Sequence, residues 1–363
     1  MKIFNLVYGC LGLSLLVSAM QKPQQFPTPT LTKTVPFSLP TTVSFTPDGT
    51  KTVISSASAT READSDHVYI YDSSVTSQIA EFGFPYPVNV ADISPGQNIC
   101  LINDRTSAEI VSVLDGKVLA TLPDPSILAA TIQYDNEGKR LLIACPNGVY
   151  LFDVTSNKVS NVISEYSQNR VAYFNPVNND EIAVAQELGS SSETGVQLWS
   201  LKARKAIHTF KPKPEPVYQL AFNPAGDKLV CGQVSYLSVW DTKSGQETEL
   251  LNGTGKLVSK PIGKKWGAAQ IIKFLPDKNI FFAPVNSLQE NGAILACDID
   301  TPANNMRFGQ MGQDMSKCIT SVAVSPDGQT LLAARELGDD ICMWDISALT
   351  KKEPQTASAC ELL

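Results

Sequence analysis

A proline-centred turn recurs along this chain, and its recurrence limits the possible folds more than any other feature does. Ser325-Pro326-Asp327-Gly328 presets one φ with proline and completes a tight turn with Asp and Gly. Variants stand at TPDG 46–49, SPG 94–96, DNEG 135–138, NPVN 175–178, NPAG 223–226 and LPD 275–277. With Pro47, Pro95, Asn136, Pro176, Pro224, Pro276 and Pro326 as anchors, 279 residues span six intervals, a mean of 46.5. A four-stranded sheet that repeats around an axis needs about 40 to 50 residues per copy.

If each anchor ends a strand with one face buried, the residues two and four before it must both be apolar, because strand side chains alternate. Two before stand Phe45, Ile93, Tyr134, Phe174, Phe222, Phe274 and Val324, and four before stand Val43, Ala91, Ile132, Ala172, Leu220, Ile272 and Val322. All are apolar in a chain only 43% hydrophobic, so the register is not accidental. A second landmark follows each anchor: Tyr71-Asp72, Val111-Ser112, Phe152-Asp153, Trp199-Ser200, Trp240-Asp241, Cys297-Asp298 and Trp344-Asp345. Its Asp or Ser is suited to accept hydrogen bonds from the turn that follows. Strand a therefore precedes the anchor, b follows it, c ends at the landmark and d comes next.

These paired landmarks resemble those of the WD40-repeat family, with Asp72, Asp153, Trp199, Trp240, Asp241, Asp298, Trp344 and Asp345 as the structural repeat positions. The resemblance covers about residues 30 to 346, and the spacing is also similar to that of bacterial YVTN-type propellers. It implies an all-β chain, a seven-bladed β-propeller of four-stranded antiparallel blades. The chain departs from the family in lacking a Gly-His dipeptide before strand a, since its only histidines are His67 and His208. Stability is therefore expected to rest mainly on apolar packing between blades.

Strand d lies about 17 to 11 residues before an anchor in the shortest copies, and that offset from Pro47 falls on residues 30–36, TLTKTVP. The N-terminal strand is thus expected to complete the last blade and remove its exposed edge. The domain plan is a signal peptide at 1–19, a linker at 20–29, the propeller at 30–346 and a loose C-terminal tail at 347–363.

Export is expected because Lys2 precedes an uncharged apolar run that ends in Val17-Ser18-Ala19, a small-residue cleavage pattern. The mature chain is expected to be periplasmic or secreted, with an uncleaved anchor as the alternative, and monomeric. Loss of Lys2 takes the net charge from −7 to −8, which argues against a nucleic-acid partner. Most cysteines sit in apolar strand patterns and read as small buried hydrophobes. No CxxC or Cys/His cluster is present, so neither a metal nor a cofactor is expected.

Length variation locates the expected binding face. Anchor-to-landmark intervals are 25, 17, 17, 24, 17, 22 and 19, which puts extra residues in b-to-c loops at 57–66, 186–194, 286–292 and 335–340. The longest d-to-a connection runs over 252–270. Antiparallel strands send all of these to one side, where a rigid scaffold presents variable loops for binding. Lys264, Lys265 and Trp266 are the leading partner-binding candidates, a basic pair beside an aromatic in an acidic chain. Phe84 and Tyr86, Tyr218, Arg61 and Arg335 follow, with Glu62 and Glu336 placed to neutralise the two arginines.

No catalytic residue is assigned. A nucleophile elbow, an HExxH helix and a phosphate-cradling glycine loop are all absent, and His67 and His208 fit surface strands. The expectation is a protein- or peptide-binding scaffold. A propeller hydrolase or lactonase with its site in the central tunnel is one alternative, and a structural envelope or cell-surface protein is the other.

Overall fold

The computed structural model describes residues 29–34, 40–56, 66–84, 88–103, 108–122, 131–145, 148–163, 171–188, 193–212, 217–233, 237–251, 272–285, 293–301, 305–308, 319–335 and 340–350. After β1 (Leu31–Thr34), blade 1 comprises β2 (Pro40–Phe45), β3 (Lys51–Ser56), β4 (Asp66–Asp72) and β5 (Gln78–Phe84). Blade 2 has β6 (Val88–Ile93), β7 (Asn98–Asn103), β8 (Ala108–Ser112) and β9 (Val118–Thr121); blade 3 has β10 (Thr131–Tyr134), β11 (Arg140–Cys145), β12 (Gly148–Asp153) and β13 (Lys158–Ile163). Blade 4 has β14 (Val171–Asn175), β15 (Asn178–Leu188), β16 (Glu193–Ser200) and β17 (Lys205–Phe210); blade 5 has β18 (Val217–Phe222), β19 (Lys228–Gln233), β20 (Leu237–Asp241) and β21 (Glu247–Leu251). Blade 6 has β22 (Lys273–Phe274), β23 (Ile280–Val285), β24 (Ala293–Asp298) and β25 (Met306–Phe308), and blade 7 has β26 (Ile319–Val324), β27 (Thr330–Arg335) and β28 (Asp340–Asp345). Seven four-stranded antiparallel sheets result, a seven-bladed β-propeller.

The last sheet runs β1-β28-β27-β26, so the N-terminal strand supplies the outer strand of blade 7 as expected. Its register pairs Leu31 with Met343 and Thr34 with Asp340.

Burial follows position within the blade. Strand b is covered on both faces, so β3, β11 and β19 are buried at every residue after the first. Outer strands alternate instead, as in β17, where exposed Lys205, Ile207 and Thr209 alternate with part-buried Ala206 and His208 and with buried Phe210. Seven apolar clusters fill the spaces between successive blades, one for each of the seven junctions. The landmark residues Tyr71, Phe152, Trp240, Cys297 and Trp344 are all buried within them, and Trp240 stacks on Phe210 at 5.4 Å between ring centroids.

Each landmark polar group does accept a hydrogen bond from the turn after it. Thr76 N–H donates to Asp72 at 2.8 Å, Leu114 to Ser112 at 3.2 Å, Ser156 to Asp153 at 2.7 Å and Ala203 to Ser200 at 3.0 Å. Ser244 donates to Asp241 at 2.8 Å, Thr301 to Asp298 at 2.9 Å and Ser347 to Asp345 at 2.8 Å.

A further device closes the a-to-b turns. The buried residue before the anchor accepts from the start of strand b: Lys51 N–H donates to Thr46 at 3.0 Å, Asn98 to Ser94 at 3.0 Å, Lys228 to Asn223 at 2.9 Å and Thr330 to Ser325 at 2.9 Å. Two residues after the anchor the backbone is left-handed, with φ of 70° at Gly226 and 60° at Gln97. At Gly226 a Cβ would also lie 2.1 Å from Asn175 Oδ1 of the preceding blade, so glycine is required there on both counts.

Three expected boundaries shift. Residues 186–188 pair with 193–195, because the blade 4 hairpin keeps its ladder beyond the sheet and shortens the loop expected at 186–194. In blade 7, Arg335 and Asp340 belong to strands rather than to the 335–340 loop. The expected tail begins with a helical turn, α1 (Ser347–Thr350), whose buried Leu349 joins the cluster between blades 6 and 7. Lys278 Nζ donates to the Leu349 carbonyl and ties that turn to blade 6.

The cysteines of the described residues are buried free thiols: Cys100, Cys145, Cys231, Cys297 and Cys342. Burial pushes the Cys297 thiol up to about 12, which suits a packing role over a reactive one.

Removing residues 20–38 deletes β1 and re-exposes the edge of β28. The urea unfolding midpoint is expected to fall by the equivalent of about 4 kcal/mol, from roughly four lost ladder pairs at about 1 kcal/mol each. Undiminished cooperative unfolding would contradict closure by this strand. Acid supplies a second test, through Asp72. Burial opposes ionisation there, but hydrogen bonds from Thr76, Ser74 and Ser77 outweigh it and hold the carboxyl at about 2. Against an unfolded value of about 3.9, this stabilises the fold above about pH 4 and is lost as pH falls through 2. Urea midpoints measured from pH 5 to pH 2 should therefore fall less steeply in Asp72→Asn than in the parent chain.

Candidate functional site

Two regions of a propeller are placed to bind: the loop-bearing rim and the tunnel lined by the inner strands. On the rim, Lys264, Lys265, Trp266, Tyr86 and Arg61 lie outside the described residues. The loops at 57–65, 189–192, 252–271, 286–292 and 336–339 lie outside them as well. Tyr218 is in β18, at the bulge where the register shifts between Val217 and Gln219.

Phe84 corrects an expectation. It ends β5 on the face that alternation turns inward, it is 7% exposed, and it packs with Val88, Ile93 and Leu101 between blades 1 and 2. Its aromatic area serves the blade junction and is not on offer to a partner. Arg335 is likewise a strand residue, part-buried at the end of β27 and registered opposite Ile319 of the innermost strand. His67 is on the outer half of blade 1, with Nδ1 2.9 Å from Glu81 Oε1 and its ring stacked on Tyr69. Neither its position nor its partner places it in the tunnel.

On the innermost strand, the residue three before each anchor is Ser44, Asp92, Gln133, Tyr173, Ala221, Lys273 or Ala323, of which Ala323 is buried between blades 7 and 1. Strand a is the inner edge of its blade, so its outward N–H groups lack a ladder partner. Polar side chains of the preceding blade satisfy several of them. Tyr134 N–H donates to Asp92 at 2.7 Å, Phe174 N–H to Gln133 at 2.7 Å, Ala172 N–H to Thr131 at 3.1 Å and Val43 N–H to Ser321 at 3.2 Å. Sequence reasoning missed these residues, although Asp92 and Gln133 stood as polar groups between the two apolar positions before their anchors.

Blades 3 to 6 leave a cavity of about 160 Å³ between their inner strands, lined by Gln133, Tyr173, Gln219 and Lys273 with Phe222 and Phe274 beside them. Asp92 of blade 2 interacts electrostatically with Lys273 of blade 6 and with Tyr173 of blade 4. Burial raises the Asp92 carboxyl, with Lys273 and the Tyr134 N–H opposing the shift. Burial also lowers the Lys273 ammonium, against the attraction of Asp92, and it pushes the Tyr173 hydroxyl up. Lys273, Tyr173, Gln133 and Gln219 thus give the cavity a cation, a phenol and two amides beside its apolar wall. Among the described residues no group of three or more His, Cys, Asp or Glu side chains is placed to hold a metal ion.

Comparison with known proteins adds three likenesses. The sequence profile of the family described as WD domain, G-beta repeat matches residues 310–345, which span blade 7. Transducin beta-like protein 3 of Bos taurus is 24% identical over 244 residues, 62% of this chain and 26% of that protein. The chain therefore spans about a quarter of that relative's length. Among solved structures, a chain of Kuenenia stuttgartiensis hydrazine synthase aligns with a TM-score of 0.65 at 13% identity, covering 87% of this chain and 97% of that one. At that identity the likeness concerns the fold alone.

Phe84→Ala separates packing from binding. Truncating this buried ring is expected to cost about 3 to 4 kcal/mol in chemical unfolding. A cost under about 1 kcal/mol would return Phe84 to the surface candidates.

Proposed function

We propose that this chain, a seven-bladed propeller of the WD40 type, is an exported scaffold that binds protein or peptide partners across the rim of its b-to-c and d-to-a connections. The observation that carries the reading is the distribution of chain length. Turns at the a-to-b and c-to-d ends are short and internally hydrogen-bonded, whereas the connections at the other ends vary, up to the 252–270 segment. A closed ring of blades holds such connections at fixed relative positions, so they can act together as one recognition surface.

Within that rim, Lys264, Lys265 and Trp266 supply an aromatic anchor with flanking cations, suited to an acidic segment of a partner. Tyr86, Tyr218 and Arg61 are the supporting contacts, with Arg335 behind them at a strand end. Export rests on Lys2 and the apolar run that follows it. A tunnel enzyme is the competing class, and Asp92 and Lys273 are the residues on its side.

The test is affinity capture from the exporting cell, followed by measured binding of the recovered partner. Replacing Lys264, Lys265 and Trp266 together by alanine should weaken that binding at least tenfold while leaving the unfolding midpoint unchanged. Undiminished binding by the triple variant would remove the rim assignment. Turnover of lactones or esters by the pure protein would favour the enzyme class instead.

A further inference from the structure

We propose that the cavity at the inner strands of blades 5 and 6 binds a short-chain monocarboxylate, whose carboxylate accepts from Phe274 N–H and is neutralised by Lys273. This is independent of the rim reading and concerns a different part of the molecule. At two blade junctions, the side chain three before an anchor reaches the next blade and accepts from the N–H two before that blade's own anchor. Asp92 does so for Tyr134 N–H at 2.7 Å, and Gln133 for Phe174 N–H at 2.7 Å.

At the junction of blades 5 and 6 the same position is Ala221, whose methyl group carries no acceptor. The donor is nevertheless in place. β22 pairs with β23 through Lys273 and Phe274, and Leu275 N–H donates to the Ile280 carbonyl, so alternation turns Phe274 N–H away from β23 and toward the tunnel. Tyr134 N–H is turned the same way, next to Asp135 N–H, which donates to the Arg140 carbonyl. A carboxylate standing beside Ala221 would therefore make at Phe274 the contact that Asp92 makes at Tyr134. Ala221, Lys273 and Phe274 all line the cavity of about 160 Å³, so the space, the donor and the cation coincide.

Charge and size select the occupant. Lys273 is the one charged residue among those lining the cavity, and a single cation among neutral groups favours one negative charge over a dianion or a cation. Gln133 commits its carbonyl oxygen to Phe174 N–H, so its amide nitrogen is the end with donors to offer a carboxylate. Asp92 is not among the lining residues, and its attraction for Lys273 competes with an incoming anion. The volume is close to that of an engineered cavity that accepts a benzene ring, so it suits about six non-hydrogen atoms. Phe222 and Ile272 line the same cavity and offer an apolar wall to a short alkyl chain.

The experiment is isothermal titration calorimetry of the purified chain with propionate, butyrate and L-lactate, using butyramide, butylammonium and inorganic phosphate as controls. Saturable one-to-one binding of at least one acid is expected, with at least tenfold weaker binding of every control. Ala221→Asp builds into blade 5 the acceptor that blade 2 carries as Asp92, and it should weaken the bound acid at least tenfold by taking its place. Lys273→Met retains the stem without the charge and should weaken it at least tenfold as well. If Ala221→Asp fails to fold, Ala221→Leu replaces it, with the same loss expected because the side chain fills the cavity. The absence of saturable heat with all three acids, a control binding as tightly as they do, or unchanged affinity in a folded variant would each overturn the proposal.

Discussion

Apolar contact between consecutive blades is the interaction on which everything else in this protein depends. A four-stranded sheet whose middle strands are apolar on both faces cannot stand alone in water, because only one face can be covered by any single neighbour. Stacking the sheets around an axis covers both faces of every blade at once, and the ring must then close. Here the seven clusters alternate with the seven sheets, and β1 completes the sheet that begins with β26. The chain's two ends are thereby joined through hydrogen bonds between residues more than 300 positions apart, as when Thr30 N–H donates to the Met343 carbonyl.

Polar groups are arranged around that apolar requirement. At the outer turns the landmark carboxylates and hydroxyls collect N–H groups, so their charge is stabilised where it is wet and the turns are held short. On the inner edge the need is different, because the strand lining the tunnel has no further strand to pair with. Neighbouring blades meet it with Asp92, Gln133, Thr131 and Ser321. The inner edge therefore carries polar side chains for a structural reason.

A scaffold of this kind separates stability from recognition. The buried junctions tolerate little change in volume, as Phe84 illustrates, while the connections at one set of strand ends carry the variation in length and composition. A protein-binding role fits that division, since a rigid ring can alter its loops without disturbing its core.

Blade number, strand order, ring closure through Leu31–Thr34 and the turn role of Asp72, Asp241 and their equivalents were legible in the sequence. Each depends on local periodicity: a strand alternates every two residues, a tight turn needs particular residue types, and seven copies in register reinforce one another. Other features were not legible, because they depend on which residues meet across blades. Phe84 looked like a loop aromatic until the neighbouring blade covered it, and Leu349 looked like tail until it met the cluster between blades 6 and 7. Asp92 and Lys273 are 181 positions apart, on strands whose individual patterns do not report each other. Only closure of the ring relates them in space, because the field between two charges depends on their separation in space and not along the chain.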